Sequence, residues 1–485
     1  MANGAFIMPF KKTVLLATAA ATVIGFAAPA YAAWPQQSGA RVPRPWRAQD
    51  VVDAIGVGTH LTYGGSAYSN PSAVIAALKY IGVTHVREGV PVSQPNDPRL
   101  APYYDLLQAG FSLQLVAPPP SPGNEGYSSV MAAVSATVTR LVNAYPNKIT
   151  GIEGLNEPDL QNDGYTFTYG SLSGAKAVAQ YQLDLYSTLK SNPATASIPV
   201  WSYSLNSPPY NQMMYEAVFA ANPAVTQAFD VANRGVYPGT WSPAYGMSGQ
   251  LINSVDMGLS GTTYTSGPYA KDVNMKVLGT KELGLTSTPV QPNSSGMPDY
   301  ETQAKILPST LYDSLIFGSM HSFMYELADV FPDPKATNSQ DHFGLFDNAM
   351  KPKPVATVLH NTLTKLADSS SNAKLFTPQQ LNVSIYQFPE QVAGAAPSGY
   401  TLIMQRSNGD YQILVWYEPL VWNLETSKPY PAIAPRSITM FLSQACATSS
   451  IYDPQSDVTT AGPKKSGAIP VSLPDHPVLV TCTAH

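Results

Sequence analysis

Two acidic side chains stand where strand-like runs stop. The run Ile149-Thr150-Gly151-Ile152-Glu153-Gly154-Leu155 continues into Asn156-Glu157-Pro158-Asp159, and the proline ends the extended segment just past the Glu157 carboxyl. A second apolar run, Lys276-Val277-Leu278-Gly279-Thr280-Lys281, ends in Glu282. Two carboxyl groups that face each other can divide labour, one donating a proton while the other acts as an anion. The plainer alternative for each is a strand-end glutamate that caps a helix or pairs with a lysine.

Other polar residues end similar runs. His60 closes Ala54-Ile55-Gly56-Val57-Gly58-Thr59-His60 and either lines a site or sits in the core. Trp201 and Tyr203 alternate on one short run, so both cannot face the same way; one is expected as a platform and the other as packing. Tyr325 and Glu326 pose the same choice. Glu153, four residues before Glu157 and deeper on its run, reads as buried, hydrogen-bonded and structural. The seven histidines show no metal-ligand spacing, and neither a nucleophile elbow nor a phosphate loop is present. No metal and no cofactor is therefore expected.

From Val51 to Leu366 eight short strand-like runs alternate with helical ones, a long loop taking the place of a helix after the sixth strand. The strands fall near 54–60, 83–87, 112–117, 149–155, 199–203, 231–237, 275–283 and 321–327. That order and size predict a (β/α)8 barrel, with Glu157 after strand four and Glu282 ending strand seven, on opposite sides of the mouth. An open doubly wound sheet is the rival, but no glycine fingerprint follows the first strand. After Asp368-Ser369-Ser370-Ser371-Asn372 the chain turns β-rich, and Asn408-Gly409 between alternating runs signals a hairpin. The fold class is thus α/β, a (β/α)8 barrel with a C-terminal β-sandwich, over expected units 33–366 and 367–485.

Residues 1–32 read as an export signal: Lys11 and Lys12, an apolar stretch from Thr13 to Ala28, then Pro29 and Ala30-Tyr31-Ala32. A secreted or periplasmic protein, free of membrane after cleavage, is expected, and there Cys446 and Cys482 could pair or stay as buried thiols. The 485 residues carry 27 Lys and Arg against 32 Asp and Glu, a net −5, with no basic stripe; nucleic acid is an unsuitable partner. Twenty-eight tyrosines, several in loops such as Tyr63, Tyr165 and Tyr264, either suit carbohydrate or simply fill a loop-rich chain. The loop Thr240 to Asp272 is long enough for a cleft wall. Asn293-Ser294-Ser295 and Asn382-Val383-Ser384 match a glycosylation triplet that also arises by chance.

On Asn156-Glu157-Pro158 and Glu282 the chain resembles the retaining glycoside hydrolases of clan A. Ile152 to Asp159, Tyr325-Glu326-Leu327, His342-Phe343-Gly344-Leu345-Phe346 and Lys351-Pro352-Lys353-Pro354 make it look most like family 39. The resemblance covers Val51 to Leu366, with the β-rich tail also typical. It implies Glu157 as general acid/base and Glu282 as nucleophile, and Asn156 as a hydrogen-bond partner of the sugar 2-hydroxyl. Arg87 matches the arginine that orients the nucleophile, its alternative being a surface pair with Glu88. Tyr237 matches a tyrosine that donates to the nucleophile, but Gly235 stands where relatives usually carry histidine, and Arg234 could fill that space toward an acidic or heavily hydroxylated sugar.

The expected function is retaining hydrolysis of a β-linked oligo- or polysaccharide of plant or bacterial surface origin, by internal cleavage. An exo-acting β-glycosidase and a non-catalytic carbohydrate-binding barrel are the alternatives.

Overall fold

The computed structural model describes residues 45–91, 98–120, 129–158, 167–204, 217–236, 250–252, 277–284, 298–316, 319–335, 337–386, 399–423, 426 and 428–484. Of these, 234–236, 250–252, 277–284, 339 and 399 are described by backbone alone. All lie in one compact unit, Arg44–His485.

Eight parallel strands close a barrel: β1 (Ile55–Gly58), β2 (His85–Gly89), β3 (Ser112–Val116), β4 (Ile149–Glu153), β5 (Val200–Trp201), β6 (Val231–Val236), β7 (Val277–Gly284) and β8 (Ser319–Tyr325). The ring shuts where β8 pairs with β1, Ser322 opposite Ile55 and Met324 opposite Val57. Helices run between the strands, among them Pro71–Ile81, Ala101–Gln108, Val130–Ala144, Gly174–Ser191, Tyr300–Ile316 and Pro354–Leu366. Their starts are written locally: Asn70 caps the Ala73 N–H ahead of Pro71, and Ser129 caps Ala132. The order is that expected from the alternation, with β4 fourth and β7 seventh.

The barrel interior is filled rather than hollow. Trp201, fully buried, meets Phe323 edge-on and packs with Val231. Phe323 lies over Gly56, where an added Cβ would come within 2.4 Å of its ring; only glycine fits. Near the strands' N-terminal ends the rings of His85 and His321 touch, centroids 4.8 Å apart.

The C-terminal region is a two-sheet sandwich. One sheet orders Trp46–Arg47, Gly399–Gln405, Tyr411–Tyr417, Val478–Thr483, Thr448–Asp453 and Val458–Ala461; the other orders Val383–Tyr386, Arg436–Cys446 and Ser466–Leu473. The Asn408-Gly409 hairpin is present, with Gly409 at φ +95° closing the turn between paired strands. Tyr411–Tyr417 is buried on both faces: Ile413 and Val415 enter the sandwich core, while Leu414 and Trp416 enter the barrel's. There Trp416 Nε1 donates to Asp313 Oδ1 at 3.1 Å, anchoring the sandwich to the helix Tyr300–Ile316. Cys446 and Cys482 form a disulfide across the two sheets, with Cα atoms 5.1 Å apart. Among the described residues no helix is long and apolar enough to cross a membrane.

Candidate active site

At the mouth, β4 and β5 stay in register beyond their regular hydrogen bonds. Ser204 N–H donates to Leu155 O, and Glu157 N–H donates to Ser204 O at 2.8 Å. Glu157 is held in the left-handed region at φ +47°, immediately before Pro158. A side chain in that region pays strain of order 1 kcal/mol or more, and such positions cluster where a side chain must be aimed. Glu157 is half-buried and its neighbour Asn156 exposed.

Asn156 is latched from below. Its Oδ1 accepts from Arg87 Nη2 at 3.1 Å, and Arg87 is itself clamped by Glu153 through Nε and Nη2 at 3.0–3.1 Å. Glu153 Oε2 also accepts from Asn233 Nδ2 at 3.2 Å. Arg87 is 7% and Glu153 1% exposed, so the pair is a buried, geometrically complete ion pair with bonds strengthened by low dielectric. The surface pairing of Arg87 with Glu88 is therefore wrong: adjacent residues on β2 point to opposite faces, and Glu88 accepts from Thr59 Oγ1, Leu61 N–H and Gly89 N–H instead. Glu153 has the buried structural role read from its position.

A second polar group gathers where β1 and β8 end. His60 Nε2 lies 3.1 Å from Glu326 Oε2, and Tyr68 donates to the same oxygen at 3.0 Å. Tyr63 stacks on His60 at 4.5 Å, and Tyr325 meets it edge-on. Glu326 is fully buried and its Oε1 has no hydrogen-bond partner among the described residues. Burial raises its carboxyl above the usual range, against the pull of His60 and Tyr68. Glu88 is raised by burial too, with His60 opposing. Beneath them the buried Asp329 accepts from Lys353 Nζ at 2.6 Å and from Gly344 N–H. Burial pushes Asp329 up to about 6 and pulls Lys353 down, each opposed by the other's charge. The segments 342–346 and 351–354 thus build a polar floor under Glu326.

Arg87, Asn156 and Glu157 come together at one side of the mouth, and His60, Tyr325 and Glu326 at another. Glu282 lies on β7, its backbone in register with Gly235 of β6, and Arg234 is opposite Thr280; both are described by backbone alone. Tyr237 lies outside the described residues, as does most of the loop Thr240 to Asp272. Trp201 and Tyr203 require correction: neither is a stacking platform. Trp201 fills the barrel interior at 0% exposure and Tyr203 belongs to the main core at 1%. Tyr68 stands in the sequence only as one of many loop tyrosines, and Asn233, Asp329 and the bonding of Glu88 are not marked there at all; the spacing of such residues carries no signal until the barrel brings them together. Among the described residues no group of three His, Cys, Asp or Glu could hold a metal ion.

No protein-family model and no curated protein sequence matches the chain. Solved structures do. A monomeric beta-xylosidase from Caulobacter crescentus CB15 superposes with TM-score 0.54 at 13% identity, over 91% of this chain and 98% of its own. AbfB, a family 51 alpha-L-arabinofuranosidase from Bifidobacterium longum, gives 0.53 at 12%, over 90% and 96%. A GH2 beta-galacturonidase from Eisenbergiella tayi gives 0.42 at 15% over 64% of this chain, which spans about half that enzyme's length. At these identities the likeness of the first two is one of fold: this chain has the barrel-and-sandwich architecture of those proteins.

Proposed function

We propose that the chain is a retaining glycoside hydrolase of the clan A type, resembling family 39 in its motifs, acting on a β-linked glycan. Glu157 donates a proton to the leaving oxygen while Glu282 attacks the anomeric carbon, forming a glycosyl-enzyme ester. Water, deprotonated by Glu157, then releases the sugar and restores both carboxyl groups. The observation that carries the reading is the fixed left-handed Glu157 at the end of β4, beside an Asn156 latched by Arg87 and Glu153. A seventh strand bearing Glu282 supports it. So does the presence of glycosidases among the proteins that share the fold. Those two proteins, named as a xylosidase and an arabinofuranosidase, favour terminal release of a sugar over the internal cleavage expected from the sequence. Export fits a glycan substrate, and N-terminal sequencing of the exported protein should begin at Ala33.

The test measures reducing ends and product masses from xylan, arabinoxylan, arabinan and bacterial surface polysaccharides. Wild type, Glu157→Gln and Glu282→Gln are run together. Monosaccharide release by wild type is expected, with each variant reduced about 10²-fold or more. A Glu282→Gln protein with wild-type turnover would overturn the mechanism, and binding without cleavage would leave a carbohydrate-binding barrel.

A further inference from the structure

The smaller sheet of the sandwich has an outer face that the proposed reaction does not use. Along Arg436–Cys446, Ile438, Met440 and Leu442 enter the sandwich core while Thr439 and Phe441 turn away from it. The same alternation turns Ser384 and Tyr386 outward from one flanking strand and Pro470 and Ser472 outward from the other. Tyr386 is 61% and Phe441 46% exposed. Phe441 is opposite Ser384 and Tyr386 opposite Thr439, so the two rings are diagonal neighbours with stems about 7–8 Å apart.

The charge pattern decides what fits. The three strands hold one charged residue, Arg436, whose place in the alternation with Ile438 and Met440 puts it on the inner side. An anionic or cationic polymer would meet no counter-charge on the outer face. A protein partner would want a contiguous apolar patch of at least several hundred Å², and the face breaks its two rings up with serine, threonine and proline. Flat aromatic faces set among hydroxyl groups match an uncharged sugar, which has an apolar C–H face and a rim of hydroxyls. The central strand ends at Cys446, bridged to Cys482 of the other sheet, so the platform is held rigid before anything binds.

We propose that this face docks an uncharged polysaccharide, with sugar rings of one chain stacked on Tyr386 and Phe441. Docking is separate from catalysis and is read without turnover. The full-length protein is tested for retention on insoluble xylan, cellulose and mannan and in gels containing arabinan, with polygalacturonate as the anionic control. Wild type and Glu282→Gln should be retained alike by at least one neutral polymer, and Tyr386→Ser/Phe441→Ser should lose at least tenfold in retention with an unchanged melting temperature. Retention by none of the neutral polymers, by polygalacturonate alone, or equally by the double variant overturns the proposal. So does a concentration-dependent dimer that the double variant abolishes, which would make a second copy the occupant. Retention without cleavage would sink only the catalytic reading, and cleavage with undiminished retention by the double variant would sink only this one.

Discussion

Replacing Glu153 by glutamine removes one charge from the centre of the site and almost no volume. Arg87 gives Glu153 three N–H···O contacts, and one carboxylate oxygen becomes an NH₂ that faces a donor. With Arg87 only 7% exposed, the guanidinium is left buried without this counter-charge. Breaking a buried pair from one side costs about 3–5 kcal/mol, a large share of the roughly 5–15 kcal/mol that holds a protein folded. Urea unfolding followed by tryptophan fluorescence should show that loss as a lower midpoint at unchanged slope. Asn156 is bonded to Arg87, so a guanidinium displaced by about 1 Å also misplaces the mouth, and kcat/KM should fall on the order of 10²-fold. The double variant Arg87→Met/Glu153→Leu should lose less stability than the sum of its single changes, because neither charge is stranded. A Glu153→Gln protein within about 1 kcal/mol of wild type would refute the claim that Glu153 is the counter-charge of Arg87.

Two further outcomes follow from groups far from the mouth. Burial, with His321 adding to it, holds His85 down to about 3, while Asp53 pulls upward and Lys374 and Lys148 downward. The unfolded chain, with an ordinary histidine near 6.5, therefore takes up the proton first; this contribution is intact above about 6.5 and is lost as pH falls toward 3. About 2 kcal/mol should be gone by pH 5, so His85→Gln should lose that much less stability than wild type between pH 7 and 5 by urea unfolding; equal losses would count against the buried histidine pair. The disulfide closes a segment of 36 residues, and Cys446→Ala/Cys482→Ala should cost about 4 kcal/mol in unfolding of the sandwich, an unchanged midpoint arguing that the denatured chain is not constrained by it.

Periodicity carried most of the architecture. Each barrel strand lies within a few residues of its sequence position because the barrel needs buried apolar runs at regular intervals, and Pro71, Asn70 and Ser129 mark helix starts by local chemistry alone. Asn408-Gly409 was legible for the same reason: a short-range conformational demand is satisfied by short-range sequence. Long-range pairing was not. Arg87 and Glu153 meet because the barrel's stagger lifts a residue of β4 to a residue of β2 across an intervening strand, and nothing in either segment names the other. Trp201 misled because a large aromatic at a strand end suits a sugar platform and a barrel filling equally. The glycines at 56 and 151 that make room inside for Phe323, Gln114 and Trp201 decide between them.

The Trp46–Arg47 strand runs parallel to Gly399–Gln405, with Trp46 beside Met404. A gene fragment cut at the barrel's last helix would carry off the sandwich without that border strand and leave the backbone at Met404 and Gln405 without its strand partner. Such an edge recruits other chains. Anyone wishing to graft the sandwich onto another protein would therefore need to supply the missing border, as a short appended strand or a permuted terminus, to keep that edge from pairing with other chains.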